Sequence, residues 1–179
     1  MSSSIEQKMG MGIVHVRAVD PQNTREIELV AARMRDTLIE VLGDERGAAM
    51  YSMEWLVERV RFHLDPAQST GQVLIAEDAG GEIWGHTIVR LDKNDAGHAI
   101  GLFSTVYVMP EKRRQSVAQA LLNAGEEWFS KHRVAELHTY TDVDNTKLIR
   151  LFESQGFKCV EERNGFAILV KQVAPRTPQ

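Results

Sequence analysis

Val106-Tyr107-Val108-Met109-Pro110-Glu111-Lys112-Arg113-Arg114-Gln115-Ser116-Val117-Ala118 joins a β-branched run to a helix through a proline turn. Upstream, His98 to Val108 reads as a long strand stopped by Met109-Pro110. Downstream, Val117, Ala118, Leu121, Leu122, Gly125 and Trp128 fall on one side of a helix. Glu136 to Thr141 is strand-like again. A strand, a helical crossover and a second strand predict one parallel pair, because only a crossover returns the chain in the same direction. The turn itself places Lys112, Arg113 and Arg114 where a helix macrodipole already supplies positive charge and unpaired N–H groups. That arrangement suits a docked anion, a diphosphate in particular, and small Ser116 and Ala118 leave room for it. A solvated basic helix start is the alternative reading.

Working outward, Ile13 to Arg17 predicts a first strand ended by Asp20-Pro21. Asn23, three residues before Glu26, has capping-box spacing, and Ile27, Val30, Ala31, Met34, Leu38 and Val41 keep helical period until Gly43. A Gly/Ala-rich stretch links this helix to a second, from Ser52 to the stop at Asp65-Pro66. Val73–Ala76 and Trp84–Val89 flank Asp78-Ala79-Gly80-Gly81 as a hairpin. Asn145 to Ser154 predicts a short helix closed by Gln155-Gly156. Phe157–Glu162 and Phe166–Val173 form a terminal hairpin around Arg163-Asn164-Gly165. The order βααβββαβαββ places the chain in the α+β class, with a mixed, mostly antiparallel sheet of about seven strands and helices on both faces. Residues 13–173 form one domain, after a loose leader over 1–12 and before a flexible tail over 174–179.

Composition narrows the function. With 25 acidic against 21 basic residues and a net charge of -4, nonspecific nucleic-acid binding is disfavoured, so any anion site is local. The single cysteine, Cys159, has no internal disulfide partner, and no apolar run approaches the roughly 18 residues of a membrane span. A cytoplasmic protein fits these features.

The turn resembles motif A of the GNAT superfamily of N-acetyltransferases, Q/R-x-x-G-x-G/A, through Arg113, Ser116 and Ala118, with Gln115 and Val117 at variable positions. A second stretch, Asn145, Leu148, Phe152, Gly156 and Phe157, resembles the family pattern N-x-x-A-x-x-x-Y-x-x-x-G-F. The resemblance implies acetyl-coenzyme A as donor and direct attack on its acetyl carbonyl by a primary amine of a small molecule or peptide. It implies that backbone groups of Val106, Tyr107 and Val108 meet the pantetheine arm, and that the amides from Arg114 through Gln115, Ser116, Val117 and Ala118 hold the pyrophosphate. Arg113 or Arg114 would add charge, with Asn145 and Phe152 lower on the arm.

Two departures bear on catalysis. Ser116 replaces the first motif glycine; its hydroxyl could donate to phosphate, or its backbone could be ordinarily helical. Phe152 replaces a tyrosine that in many members protonates the departing thiolate. Tyr140 is the substitute acid, or else a strand tyrosine with a solvated hydroxyl. Glu54 and His98, with His86 and His138, are the candidate bases, each equally readable as a solvated or hydrogen-bonded residue. Tyr51, Glu54, Trp55 and Arg59 are expected to touch the acceptor, or to be packing and surface. A coenzyme A-binding regulatory module with little transfer activity is the competing reading. A homodimer through the terminal hairpin is compatible with the sequence.

Overall fold

A computed structural model describes residues 13–174, so the leader over 1–12 and the tail beyond Ala174 lie outside the described residues. The elements are β1 (His15–Ala18), α1 (Thr24–Leu42), α2 (Asp44–Met50), α3 (Met53–Leu64), β2 (Gly71–Glu77), β3 (Ile83–Lys93) and β4 (Ala99–Val108). A 3-10 turn, Pro110–Lys112, follows, and then α4 (Val117–Lys131), β5 (Glu136–Asp142), α5 (Thr146–Ser154), β6 (Lys158–Arg163) and β7 (Phe166–Gln172). The strands form one sheet in the order β1-β2-β3-β4-β5-β7-β6. β4 and β5 are parallel as predicted, and the other pairs are antiparallel.

Both faces are covered. Ile27, Val30 and Ala31 of α1 and Leu56 and Val60 of α3 pack on Val73, Ile75 and Ile88. On the opposite face Leu122 and Phe129 of α4 and Phe152 of α5 meet Val89, Phe103, Leu137 and Leu169. Val117 and Leu121 seat the start of α4 on Ala76, Trp84 and Val108. Among the described residues no helix is long and apolar enough to cross a membrane.

The predicted caps hold α1 and α3 at their starts. Asn23 Oδ1 accepts from the Glu26 N–H at 3.3 Å, and Ser52 Oγ from the Trp55 N–H at 3.1 Å. The Glu26 carboxylate does not return to Asn23 to complete a capping box. It pairs instead with Arg17, which also bonds Glu77 Oε1 at 2.9 Å and so ties α1 to β1 and β2. The terminal hairpin turns at Asn164 (φ 54°) and Gly165 (φ 81°), the successive left-handed pair that favours Asn-Gly.

The element missing from the sequence reading is α2, which occupies the Gly/Ala-rich link. Its polar and small residues carry no apolar period, and it is held by contact with α1. Gly47 is buried there, and a Cβ on it would stand 2.4 Å from Ile39 Cα, inside the backbone of α1. Gly47→Ala should therefore force the two helices apart and destabilise the protein by about 1–3 kcal/mol, read by urea denaturation. An unchanged midpoint would contradict this packing.

Candidate active site

The site is built where two parallel strands part. β5 pairs with β4 only over Gly101–Phe103 against Leu137–Thr139. Thr139 Oγ1 donates to Phe103 O at 3.0 Å, marking the branch point. Beyond it β5 follows β7, with Tyr140 opposite Ile168, while β4 continues along β3 to Val108. A bulge falls at the same level: Val89 faces Phe103 and Ile88 faces Thr105, so Ser104 is the extra residue. Such an insertion bends its strand and increases its twist. The β5-facing edge of β4 from Ser104 to Val108 has no strand partner among the described residues, and its backbone groups, apart from Val108 O, are available to a ligand lying along it.

At the end of that edge stands the cationic turn. Arg113 is already engaged there: its guanidinium makes a bidentate pair with Glu40 of α1 at 2.7 and 2.9 Å, and Nε donates to Val108 O at 2.9 Å. Lys112 Nζ lies over the Trp84 ring, 4.3 Å from its centroid. Arg114 is exposed, and both it and Ser116 have φ 63°. The left-handed backbone of Ser116 (ψ 16°) corrects the reading that this residue could be ordinarily helical. The position does call for glycine, and two side-chain-bearing residues hold it at a cost of order 1 kcal/mol each.

The start of α4 has no acidic residue in its first turn and no side-chain cap. Its first intrahelical bond runs from Ala120 N to Ser116 O, so the N–H groups before Ala120 have no acceptor within the helix. They belong to the wall of a cavity of about 250 Å³ between the turn and the end of α5, lined by Lys112, Arg113, Arg114, Ser116, Ala118, Leu151, Ser154 and Gln155. The last three escaped the sequence reading, because nothing local announces that the end of α5 closes over a turn some forty residues earlier.

The other predicted residues separate. Tyr140 is 46% exposed immediately past the branch point. Burial, then the charges of Asp92 and Asp95, raise its phenol further above neutrality, so it remains protonated and able to donate. Glu54 is exposed in the first turn of α3, and no hydrogen bond ties it to a strand among the described residues. His98 is exposed just before β4 begins, at the end away from the turn. Five residues of extended chain, about 17 Å, separate it from Phe103, so the structure does not bring it to the branch point. Phe152 is fully buried among Phe103 and Phe157 and lines no part of the cavity. A tyrosine there would bury a hydroxyl at a cost of about 1–3 kcal/mol unless bonded. Asn145 Oδ1 accepts from the Leu148 N–H at 3.3 Å, capping α5. Tyr107 turns toward α1, stacked on His86 with Arg33 5.6 Å from its ring centre. His138 directs Nε2 to the Glu136 carboxylate.

Residues 35–157 match the family model described as acetyltransferase (GNAT) family. The chain belongs to that family. GNAT enzymes use acetyl-coenzyme A as cosubstrate. Among solved structures it is similar to the PaiA N-acetyltransferase of Thermoplasma acidophilum in complex with coenzyme A, with a TM-score of 0.70 and 17% identity over 90% of this chain and all of that one. A GNAT acetyltransferase of Streptococcus pneumoniae gives 0.67 and 18% with the same coverage. These likenesses show the GNAT fold. Among curated proteins, mycothiol acetyltransferases of Renibacterium salmoninarum and Pseudarthrobacter chlorophenolicus are 32% and 33% identical over 85 residues. Those residues are 47% of this chain, and they span about a quarter of the length of either relative.

Two histidines of this GNAT domain, His86 on β3 and His63 on α3, are buried as neutral rings. His86 is 1% exposed with neither ring nitrogen bonded among the described residues, and burial, then Arg33, lower its pKa to about 3. It is therefore a poor base near neutrality. His63, also 1% exposed, is lowered to about 4, chiefly by burial. Both lie below the ordinary 6.5, so the unfolded chain takes up protons first as pH falls. Stability should be full above about pH 6.5 and decline below it, by about 2 kcal/mol per histidine at pH 5. Urea denaturation at pH 7.5 and 5.0 tests this, and His86→Phe should remove its share of the difference. An equal difference in that variant would reject the assignment.

Proposed function

We propose that this chain transfers the acetyl group of acetyl-coenzyme A to a primary amine of a small molecule or peptide. The observation that carries the reading is the cavity at the start of α4, set at the end of the unpaired edge of β4. A pyrophosphate suits it because the uncapped N–H groups around Ser116, Val117 and Ala118 face the same space as Arg114. Backbone groups of Val106 and the N–H of Val108, whose carbonyl is taken by Arg113, suit the amides of a pantetheine arm on that edge, which would bring its end toward the branch point at Phe103 and Thr139. The thioester supplies an activated acetyl carbonyl, and the acceptor must present a neutral amine nitrogen to it.

Arg113 acts in this reading by position: its pair with Glu40 and its bond to Val108 O hold the turn in shape while Arg114 supplies the free charge. Asn145 contributes through its cap at the start of α5. Tyr140, past the branch point and protonated, is the acid for the departing thiolate. The second reading, a coenzyme A-binding module without efficient transfer, draws on the burial of Phe152, which leaves the family's usual tyrosine position without a hydroxyl.

Calorimetry with acetyl-coenzyme A should give binding that weakens about tenfold in Arg114→Ala and weakens further as salt rises. Ser116→Gly should bind at least as well as the natural chain, since it relieves the left-handed serine. Loss of binding in Ser116→Gly would instead make the hydroxyl a ligand.

Tyr140→Phe should lower kcat for thiol release by at least about tenfold with little change in coenzyme A affinity. Equal turnover would remove Tyr140 from the reaction. Binding without thiol release against any amine would favour the module.

A further inference from the structure

On the α1/α3 side of the sheet, a strip of aromatic and cationic side chains runs from the start of α3 toward the branch point. None of it is used by the donor site. Tyr51 and Trp55 stack at 4.1 Å with their planes 12° apart, yet remain 38% and 44% exposed. One turn along α3 stands Arg59, its guanidinium 4.7 Å from the Phe62 ring centre and with no carboxylate partner among the described residues. Across from it, Arg90 projects from β3. The two guanidiniums line one open cleft of about 450 Å³, with Phe62, Ser69 and Thr70. Arg90 is opposite Leu102 in the sheet, and Leu102 opposite His138, one residue before the branch point. The charge of Arg90 is also felt at Tyr140.

Buried His63 fixes the relation between the two arginines. Its Nδ1 lies 2.8 Å from Arg59 O, and its Nε2 lies 3.4 Å from Arg90 Nη1. A carbonyl only accepts and a guanidinium only donates, so the ring must carry its proton on Nδ1 and offer its Nε2 lone pair to Arg90. It is a neutral ring, and it orients Arg90 without neutralising it. Asp92, at 3.3 Å from Arg90 Nη2 and 46% exposed, is the one carboxylate lining the cleft among the described residues, set against two guanidiniums. Desolvation, then the proximity of Arg90, lower the pKa of Arg59. Two cations brought together in a cleft, one without an acid and one propped by a neutral histidine, are an arrangement that a bound anion would complete.

The geometry points to an acceptor that carries an anionic group besides its amine, with Arg59 and Arg90 holding that group and the Tyr51–Trp55 pair walling the approach. This assignment rests on the acetyltransferase reading and names its substrate class: a small amine bearing a carboxylate or a phosphate. Arg59 and Arg90 bind and orient; they take no part in proton transfer. His63 is a positioning residue acting through Arg90.

Matched acceptors test it: amino acids against their carboxamides for the carboxylate, and phosphoethanolamine against ethanolamine for the phosphate. Each is assayed by thiol release from acetyl-coenzyme A and, without turnover, by tryptophan fluorescence titration of the coenzyme A complex. The anionic member of at least one pair should show kcat/KM about tenfold or more above its neutral partner, and the responding pair identifies the anion. Arg59→Gln should erase that preference, chiefly through KM, and Arg59→Lys should restore part of it. His63→Gln should weaken it with coenzyme A affinity unchanged. Neutral amines acetylated as well as anionic ones, or a preference untouched in Arg59→Gln, would overturn the assignment and leave the transferase reading intact. Arg59-dependent binding of an anionic amine without acetylation would uphold the cleft and count against transfer. Absence of both turnover and anion-dependent fluorescence change would overturn the cleft's role.

Discussion

The parting of β4 from β5 after three paired residues is the constraint on which the rest of the architecture depends. A parallel pair that continued to Val108 would spend the backbone groups of β4 on β5 and leave no edge for a ligand. The pair is short because β5 has a second partner, β7, which takes it over its whole length, while the bulge at Ser104 turns β4 along β3. Thr139 Oγ1 donates to Phe103 O at the fork and ties the last paired residues of the two strands together. Everything the fold presents to chemistry is arranged about that fork: the turn of α4 at the end of one arm, Tyr140 at the start of the other, and the arginine cleft on the face that α1 and α3 leave partly open.

The turn shows how charge can be divided by role. Three consecutive cations would repel one another and the helix dipole if all were unpartnered. Instead all three border the cavity in different roles: Arg113 is neutralised by Glu40 of α1 and locked to Val108 O, Lys112 rests on the Trp84 ring, and Arg114 has no carboxylate or ring partner among the described residues. The ion pair is partly exposed, and its direct contribution to stability is small. Its importance is geometric, since it ties α1 to a turn in which Arg114 and Ser116 hold strained left-handed conformations. Strain of this kind persists only where the surroundings over-determine it.

Much of the fold was legible because it rests on local rules. Alternation and helical period in the two faces, the Asn23 and Ser52 caps, the Asn164-Gly165 turn and the parallel crossover all express what a short stretch of chain prefers. α2 was not legible, since it lacks an apolar period and stands because Gly47 lets it touch α1. Of the candidate site, the cationic turn could be read from Lys112 through Ala118. The diversion of Arg113 could not, because Glu40 lies 73 residues away. Phe152 and Asn145 fell in a recognisable pattern, yet one side chain fills the core and the other caps a helix.

The sequence by itself determined the class of fold, the parallel pair and the position of the cationic turn, because propensity, capping and periodicity act over a few residues. Only the tertiary structure decided which cations are free, which histidines are neutral, where β4 loses its partner, and that Arg59 and Arg90 share one cleft. Those properties depend on desolvation and on contacts between residues far apart in the chain, and neither is fixed until the sheet and its two helical layers have closed.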